Sequence, residues 1–255
     1  MKCINFIFTQ SVMWIVLLFV WYSPLKVQAM NTGFSTEEKS VSEQQELMRN
    51  ISISLIEEEP KKQPIDCFDV NENGYIALGF SNLEHKTICV YTSDGIFQYG
   101  YKFDCTGDFG IGWDTKGVII YFVRGSTAIV VNSSGNIEDI KTVVDSIENN
   151  SYWNNTVFAT SRLVKNCKYT IKNDMGILNF FASSYSQLVV SDNDNVNIVY
   201  DVTSKHIVKI ITTIIAVLIF VTVVAVLIIK RIKTIQSGTQ GASQRDTADS
   251  SVIDG

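Results

Sequence analysis

From Ile65 onward the chain alternates apolar and polar residues in short runs: IDCFDV, GYIALGF, KTICVYT and GIFQYGYKF. A period of two is that of a strand, whose successive side chains point to opposite faces of a sheet. The connections are NENG, SNLEHK and TSDG. Those ending in glycine have the chemistry of tight hairpins, where glycine at positive φ closes a type I turn with a bulge. Four such strands in sequence predict an antiparallel meander. The meander then repeats as DFGIGWD, GVIIYFV, STAIVVN and GNIEDIK, separated by DTKG, a short RG turn and NSSG. Gly117 aligns with Gly74 at an interval of 43 residues, and Gly135 with Gly95 at 40. A looser third unit, Cys167 to Tyr200, reads CKYTI, ILNFF, SQLVV and VNIVY. In it Gly176 stands where Gly117 does, and Asn195 stands where Gly135 does. Gly74, Gly95, Gly117, Gly135 and Gly176 are thus expected as structural turn residues. An Asn-rich insertion, 146–165, separates the second and third units.

Two stretches break the rhythm. The chain opens MKCINFIFTQSVMWIVLLFVWYSPLKVQA, a lysine, an apolar run, a proline, and small residues Val27 and Ala29 where a signal peptidase reads them. Residues 1–29 therefore read as a signal peptide, with an uncleaved signal anchor as the alternative. Near the other end, Ile210 to Ile229 are 20 residues without a charge. As a helix they reach about 30 Å, the thickness of a bilayer's hydrocarbon. Lys230, Arg231 and Lys233 follow at once, which marks that end as cytoplasmic. The expected placement is a single-pass protein of the cell membrane, with its large domain extracytoplasmic and its C-terminus inside.

Between these lie 30–64 and 65–206. STEEKSVSEQQELMRN sets Ser35 and Glu38 at capping-box spacing, predicting a short helix from Thr36 to Arg49. ISISLI predicts one strand at Ile51 to Ile56, and the charged, proline-punctuated remainder reads as a stalk or linker. The predicted class is all-β: four-stranded repeats over 65–206, a membrane helix over 207–229, and a disordered tail over 230–255, too polar to bury a core.

The repeated pattern, D-x-x-G-x-I with V-x-x-x-x-G about half a repeat later, resembles the NHL-like and YWTD-like repeats of six-bladed β-propellers. The resemblance covers Ile65 to Tyr200 and implies a partial β-propeller of three blades. Such a stack has two open faces. Either two chains pair into a six-bladed ring, or an open stack is capped by residues 31–64. The Ile-, Asn- and Lys-rich style resembles surface proteins of low-GC Gram-positive bacteria.

Composition narrows the chemistry. A formal charge of −5 gives no basis for nucleic-acid binding. Cys67, Cys89, Cys105 and Cys167 are even in number for an oxidising location, so two disulfides and none both stay open, and their spacing fits no zinc site. The two histidines, His85 and His206, have no partner arranged in sequence for hydrolase or metal chemistry. Asp192 and Asp194 offer oxygen ligands but read better as a turn. Glu57, Glu58 and Glu59 read as a solvated run. Phe97, Tyr99, Tyr101 and Phe103 share one strand face and read as core, and Arg124 reads as a turn residue on a rim. Trp113-Asp114 resembles the WD dipeptide only once and out of place. Sequons stand at Asn50, Asn132, Asn149 and Asn154. The expectation is a binding module without catalysis, metal or cofactor, whose partner is a protein, a glycan or a small ligand. Its recognition loops would be TSDG, NSSG, DTKG and the 146–165 insertion. The alternatives are a structural subunit of a membrane assembly and a carboxylate-dependent hydrolase or lyase.

Overall fold

The computed structural model describes residues 30–82, 85–192 and 195–249. The signal segment expected over 1–29 lies outside them. In chain order the elements begin with strand β1 (Thr36–Glu38), helix α1 (Val41–Asn50) and β2 (Ile53–Ile56). A first meander follows: β3 (Cys67–Val70), β4 (Ile76–Ser81), β5 (Lys86–Tyr91) and β6 (Phe97–Phe103). A second comprises β7 (Phe109–Asp114), β8 (Gly117–Phe122), β9 (Thr127–Val131) and β10 (Ile137–Val143). Helix α2 (Ile147–Tyr152) runs into a π-turn at Trp153–Val157. The last meander has β11 (Ser161–Val164), β12 (Cys167–Lys172), a 3₁₀ turn at Gly176–Phe181, β13 (Gln187–Asp192) and β14 (Asn195–Asp201), before helix α3 (Thr203–Asp249).

These strands form three antiparallel sheets, one per repeat, in the orders β2-β6-β5-β4-β3, β1-β10-β9-β8-β7 and β11-β12-β13-β14. Three hairpins share one geometry. Gly74 N–H donates to Asn71 O at 2.9 Å, Gly95 to Thr92 O at 3.0 Å and Gly135 to Asn132 O at 2.9 Å. All three glycines sit near φ +80°, at +86°, +79° and +84°, where a side chain is strained.

Several expectations need correction. Gly117 is not at positive φ; it opens β8, and a Cβ there would stand 2.1 Å from the Val131 carbonyl oxygen. It is glycine for close approach, not for the turn. In the third repeat the strands are displaced by one element. SRLV is the first strand, and ILNFF is the 3₁₀ turn between the second and third. Gly176, at φ +58°, starts that turn rather than a hairpin, and Asn195 pairs with Asp192 as a strand residue. The helix of the N-terminal segment is capped by Ser40 with Glu43, because Thr36–Glu38 pair with Val143–Lys141 as strand. Residues 30–64, read as a stalk, give β1 and β2 to the outer edges of two sheets, which covers those edges. A bulge between Val90 and Tyr91 puts Phe97 on the opposite face of the first sheet from Tyr99, Tyr101 and Phe103. Helix α3 continues to Asp249, where an unstructured tail was expected.

The first sheet is the middle of the stack. One face, with Phe68, Ile76 and Tyr91, packs on Tyr169, Leu188 and Tyr200 of the third sheet. The other, with Ile88, Tyr101 and Phe103, packs on Phe109, Ile120 and Ile140 of the second. The spatial order is therefore second, first, third, unlike a ring in which successive units are neighbours. The far face of the second sheet is closed by Met30, Phe34 and Val157, with Tyr152 and Trp153 against them. Both the N-terminal segment and the insertion thus form the cap.

Helix α3 is long and apolar enough over Thr203–Arg231 to cross a membrane, with a mean hydropathy of 3.1. Its threonine hydroxyls at Thr212, Thr213 and Thr222 donate to the carbonyls four residues back, at 2.8 to 2.9 Å.

Candidate functional site

Direction along the strands places the site. Strand β3 begins beside the point where α3 leaves: Ile65 bridges Tyr185, and Val202 N–H donates to Ser186 O. It ends at Val70, so the turn 71–74 lies at the opposite end of the stack. The turn 114–117 borders the same cleft as residues 71–73, so it lies at that end too. The cleft has a volume of about 580 Å³ and is lined by Asp69, Glu72, Tyr99, Trp113, Asp114 and Lys116, among others. It opens away from the apolar helix.

At its edge, reaching into the crevice beside it, is a largely buried ion pair. Arg162, on β11, donates from Nε to Asp69 Oδ1 on β3 at 2.7 Å. Nη1 reaches the carbonyls of Ala159 at 2.9 Å and Ser161 at 3.1 Å, and Nη2 those of Val157 at 3.1 Å and Phe68 at 3.3 Å. The guanidinium lies 5.1 Å from the Phe68 ring centroid. A planar fork with five donors is what holds so many oxygens at once. Burial pushes the Asp69 carboxyl up from the ordinary carboxylate range, and Arg162 pulls it back. Arg162 thus ties the third sheet to the first and to the insertion.

The wall is built by the second sheet's first turn and the N-terminal segment. Asp114 Oδ2 accepts from Asn31 N–H at 3.0 Å, and Oδ1 accepts from Lys116 N–H at 3.0 Å. Tyr121 donates to Thr32 O at 2.9 Å. Trp113 borders this cleft and a crevice of about 80 Å³ beside it, and its indole N–H is buried without a partner among the described residues. The arrangement offers an aromatic side chain, an unpaired indole donor just beneath the surface and exposed acid at Glu72, which is chemistry for holding a polar ligand.

Residues singled out from sequence scatter elsewhere. The four cysteines in the described region are free thiols. Cys67 faces the second sheet and Cys89 the third, on opposite sides of one sheet. Burial pushes the Cys89 thiol up to about 12 and raises that of Cys105, so neither is a reactive thiolate. His85, read as lacking an arranged partner, has Nδ1 2.5 Å from Asp104 Oδ1, a contact between residues 19 apart. His206 is buried beside the 3₁₀ turn. Asp192 closes β13, and Asp194 lies outside the described residues. Arg124 borders a separate hollow of about 590 Å³ under α1. Of the loops named in advance, residues of DTKG and Ser133 of NSSG line the cleft, while TSDG does not. Of the sequons, Asn149 is buried, with Oδ1 accepting from Ser35 N–H and Nδ2 donating to Ser35 O and Val144 O. Arg162 and Asp69 went unnoticed in the sequence. The one available signal was an arginine inside the short run SRLV, next to Leu163 and Val164.

Comparison with family models, curated proteins and solved structures returns no match for this chain.

Proposed function

We propose that this chain is an extracytoplasmic binding module, propeller-like in its repeated unit and held on the cell membrane by α3, with its C-terminus in the cytoplasm. The observation that carries the reading is the cleft between the 71–74 and 114–117 turns, which opens on the end of the stack away from the apolar helix. A rigid sheet stack that presents turns away from a membrane is suited to recognition. We assign it no catalysis, because Asp69 is engaged by Arg162 and Asp114 by two backbone donors, which among the described residues leaves Glu72 without a second free carboxyl to share acid–base work. A general acid or base needs a carboxyl free to exchange its proton with substrate. The intact protein in nanodiscs, titrated by calorimetry against a panel of glycans and short peptides, tests the reading. A ligand whose affinity falls in both Trp113→Phe and Glu72→Gln supports it. A panel without binding, or binding indifferent to both changes, rejects the cleft.

A second reading, a structural subunit of a membrane assembly, is favoured by one observation. Leu163, Val196 and Ile198 are exposed on the open face of the third sheet. Pairing of two chains would use this same face, because the second sheet's is already covered. A stoichiometric partner, or a dimer by light scattering, that disappears in Leu163→Lys/Ile198→Lys supports this reading. An unpartnered monomer removes it.

A further inference from the structure

The 3₁₀ turn Gly176–Phe181 lies against α3 and projects three exposed apolar side chains: Ile177 is 89% exposed, Phe180 88% and Phe181 57%. Isolated exposed apolar residues are ordinary, but three on one six-residue turn are a patch. The turn is held firmly at its base. Asn173 Nδ2 donates to Ser184 O at 3.0 Å, its Oδ1 accepts from Ser186 N–H at 2.7 Å, and Asn179 Oδ1 accepts from Met175 N–H at 3.0 Å. Met175 is buried beneath it. The patch is therefore presented by a fixed scaffold.

Its position relative to α3 decides what meets it. Phe181 shares a groove with Lys209, Thr213 and Val217. Lys209 is the last charge before the uncharged run that begins at Ile210. Thr213 and Val217 lie about 6 and 12 Å beyond it along the helix axis, at 1.5 Å per residue. The turn thus sits beside the part of the helix that a bilayer would surround, not above it. Lys205 and Lys209 stand on α3 just before the uncharged run, suited to lipid phosphates at that level. Phenylalanine and large aliphatic side chains are the kind that bury at the boundary between headgroups and acyl chains when a polar face stays in water.

We propose that Gly176–Phe181 is a second membrane contact, with Ile177, Phe180 and Phe181 seated in the acyl-chain edge of the leaflet that α3 enters. The proposal rests on the reading of α3 as a membrane span. Two contacts fix an orientation where a single helix leaves the domain free to swivel. The turn would hold the sheet stack at one tilt, with the cleft facing away from the lipid.

The test uses the full chain, one copy per nanodisc of phosphatidylcholine and phosphatidylglycerol, containing a phospholipid with a diazirine on an upper acyl carbon. After illumination, adducts are mapped by mass spectrometry. The expected result is labelling of Ile177, Phe180 and Phe181 together with residues of α3, and loss of the turn's adducts alone in Phe180→Ser/Phe181→Ser. Both rings are exposed, so this variant is expected to fold, and unchanged α3 labelling checks it. Labelling of α3 without the turn overturns the inference while keeping the span. Absence of label on both overturns the span as well. Crosslinks of the turn to a co-purified protein, with no lipid adducts, assign the patch to a protein partner and also overturn it.

Discussion

Replacing Arg162 with methionine removes a side chain that joins three parts of the fold at one point, and its cost can be worked from the contacts. The change deletes a charge-assisted bond to Asp69 and leaves the carbonyls of Ala159, Ser161, Val157 and Phe68 without the guanidinium. Methionine keeps an unbranched apolar side chain in the same space, while the guanidinium's contact with the Phe68 ring is lost with the charge. Breaking a buried pair by removing one partner costs about 3–5 kcal/mol, because the other charge is left uncompensated. Asp69 borders the cleft, where water can reach it, so the lower end applies, about 3 kcal/mol. For a domain of this size that is a fall in Tm of roughly 6–12 °C. Asp69→Asn should cost less, about 1–2 kcal/mol, since Arg162 keeps its carbonyl bonds. The double variant should be less destabilised than the sum of the two. Melting of the nanodisc-held protein by tryptophan fluorescence reads this through Trp153, which packs in the cap against Phe34 and Tyr121. If Arg162→Met melts within about 2 °C of the parent, or Asp69→Asn costs as much as Arg162→Met, the pair is not the junction described here.

Three further outcomes follow from the same structure. Burial raises the Asp66 carboxyl, hydrogen bonds from Ser81 lower it again, and its Oδ2 is buried without a partner among the described residues. A raised folded value means the neutral form favours folding below the unfolded value, and that this stability is lost as pH rises through the folded one. Asp66→Asn should therefore raise Tm at neutral pH, with the gap closing as pH falls toward about 4; a gap that widens in acid contradicts the sign. Gly74 and Gly117 should separate by mechanism. Gly74→Asn, at positive φ, should cost less than about 1 kcal/mol, whereas Gly117→Ala, driven into a carbonyl, should cost about 2–3 kcal/mol by urea unfolding. Reductant should leave Tm unchanged, and maleimide should reach Cys67 and Cys89 only after unfolding; disulfide-linked peptides in a digest would refute this.

What the sequence revealed was local. NENG, TSDG and NSSG each carry glycine because the hairpin requires positive φ within a few residues, and such turns can be read anywhere in a chain. The three antiparallel sheets and the long apolar helix follow from period and composition alone. The displaced third repeat was missed because ILNFF is as apolar as a strand, while SRLV is short and carries an arginine. That arginine is the clearest example of what could not be read. Its meaning depends on Asp69, 93 residues earlier, and on carbonyls that no residue type advertises. Glu38 was read as a capping partner because Ser35 stands at the right spacing. Strand pairing with β10, which competes for the same backbone, decides otherwise. Trp113-Asp114 was dismissed as a stray dipeptide, yet both line the cleft.

The central place of the first sheet sets the order in which this protein can mature. Residues 67–103 are made before either of the sheets that cover them. Until about residue 201 has emerged, Phe68, Ile76 and Tyr91 have no third sheet to lie against. The next residues to appear are those of the apolar helix. Closure of the stack and arrival of the helix are nearly simultaneous in synthesis. A chain stopped before residue 161 would leave that apolar face open to its neighbours, the circumstance in which partly folded β-proteins aggregate. The growing chain therefore depends on whatever shields it during synthesis until its last repeat arrives.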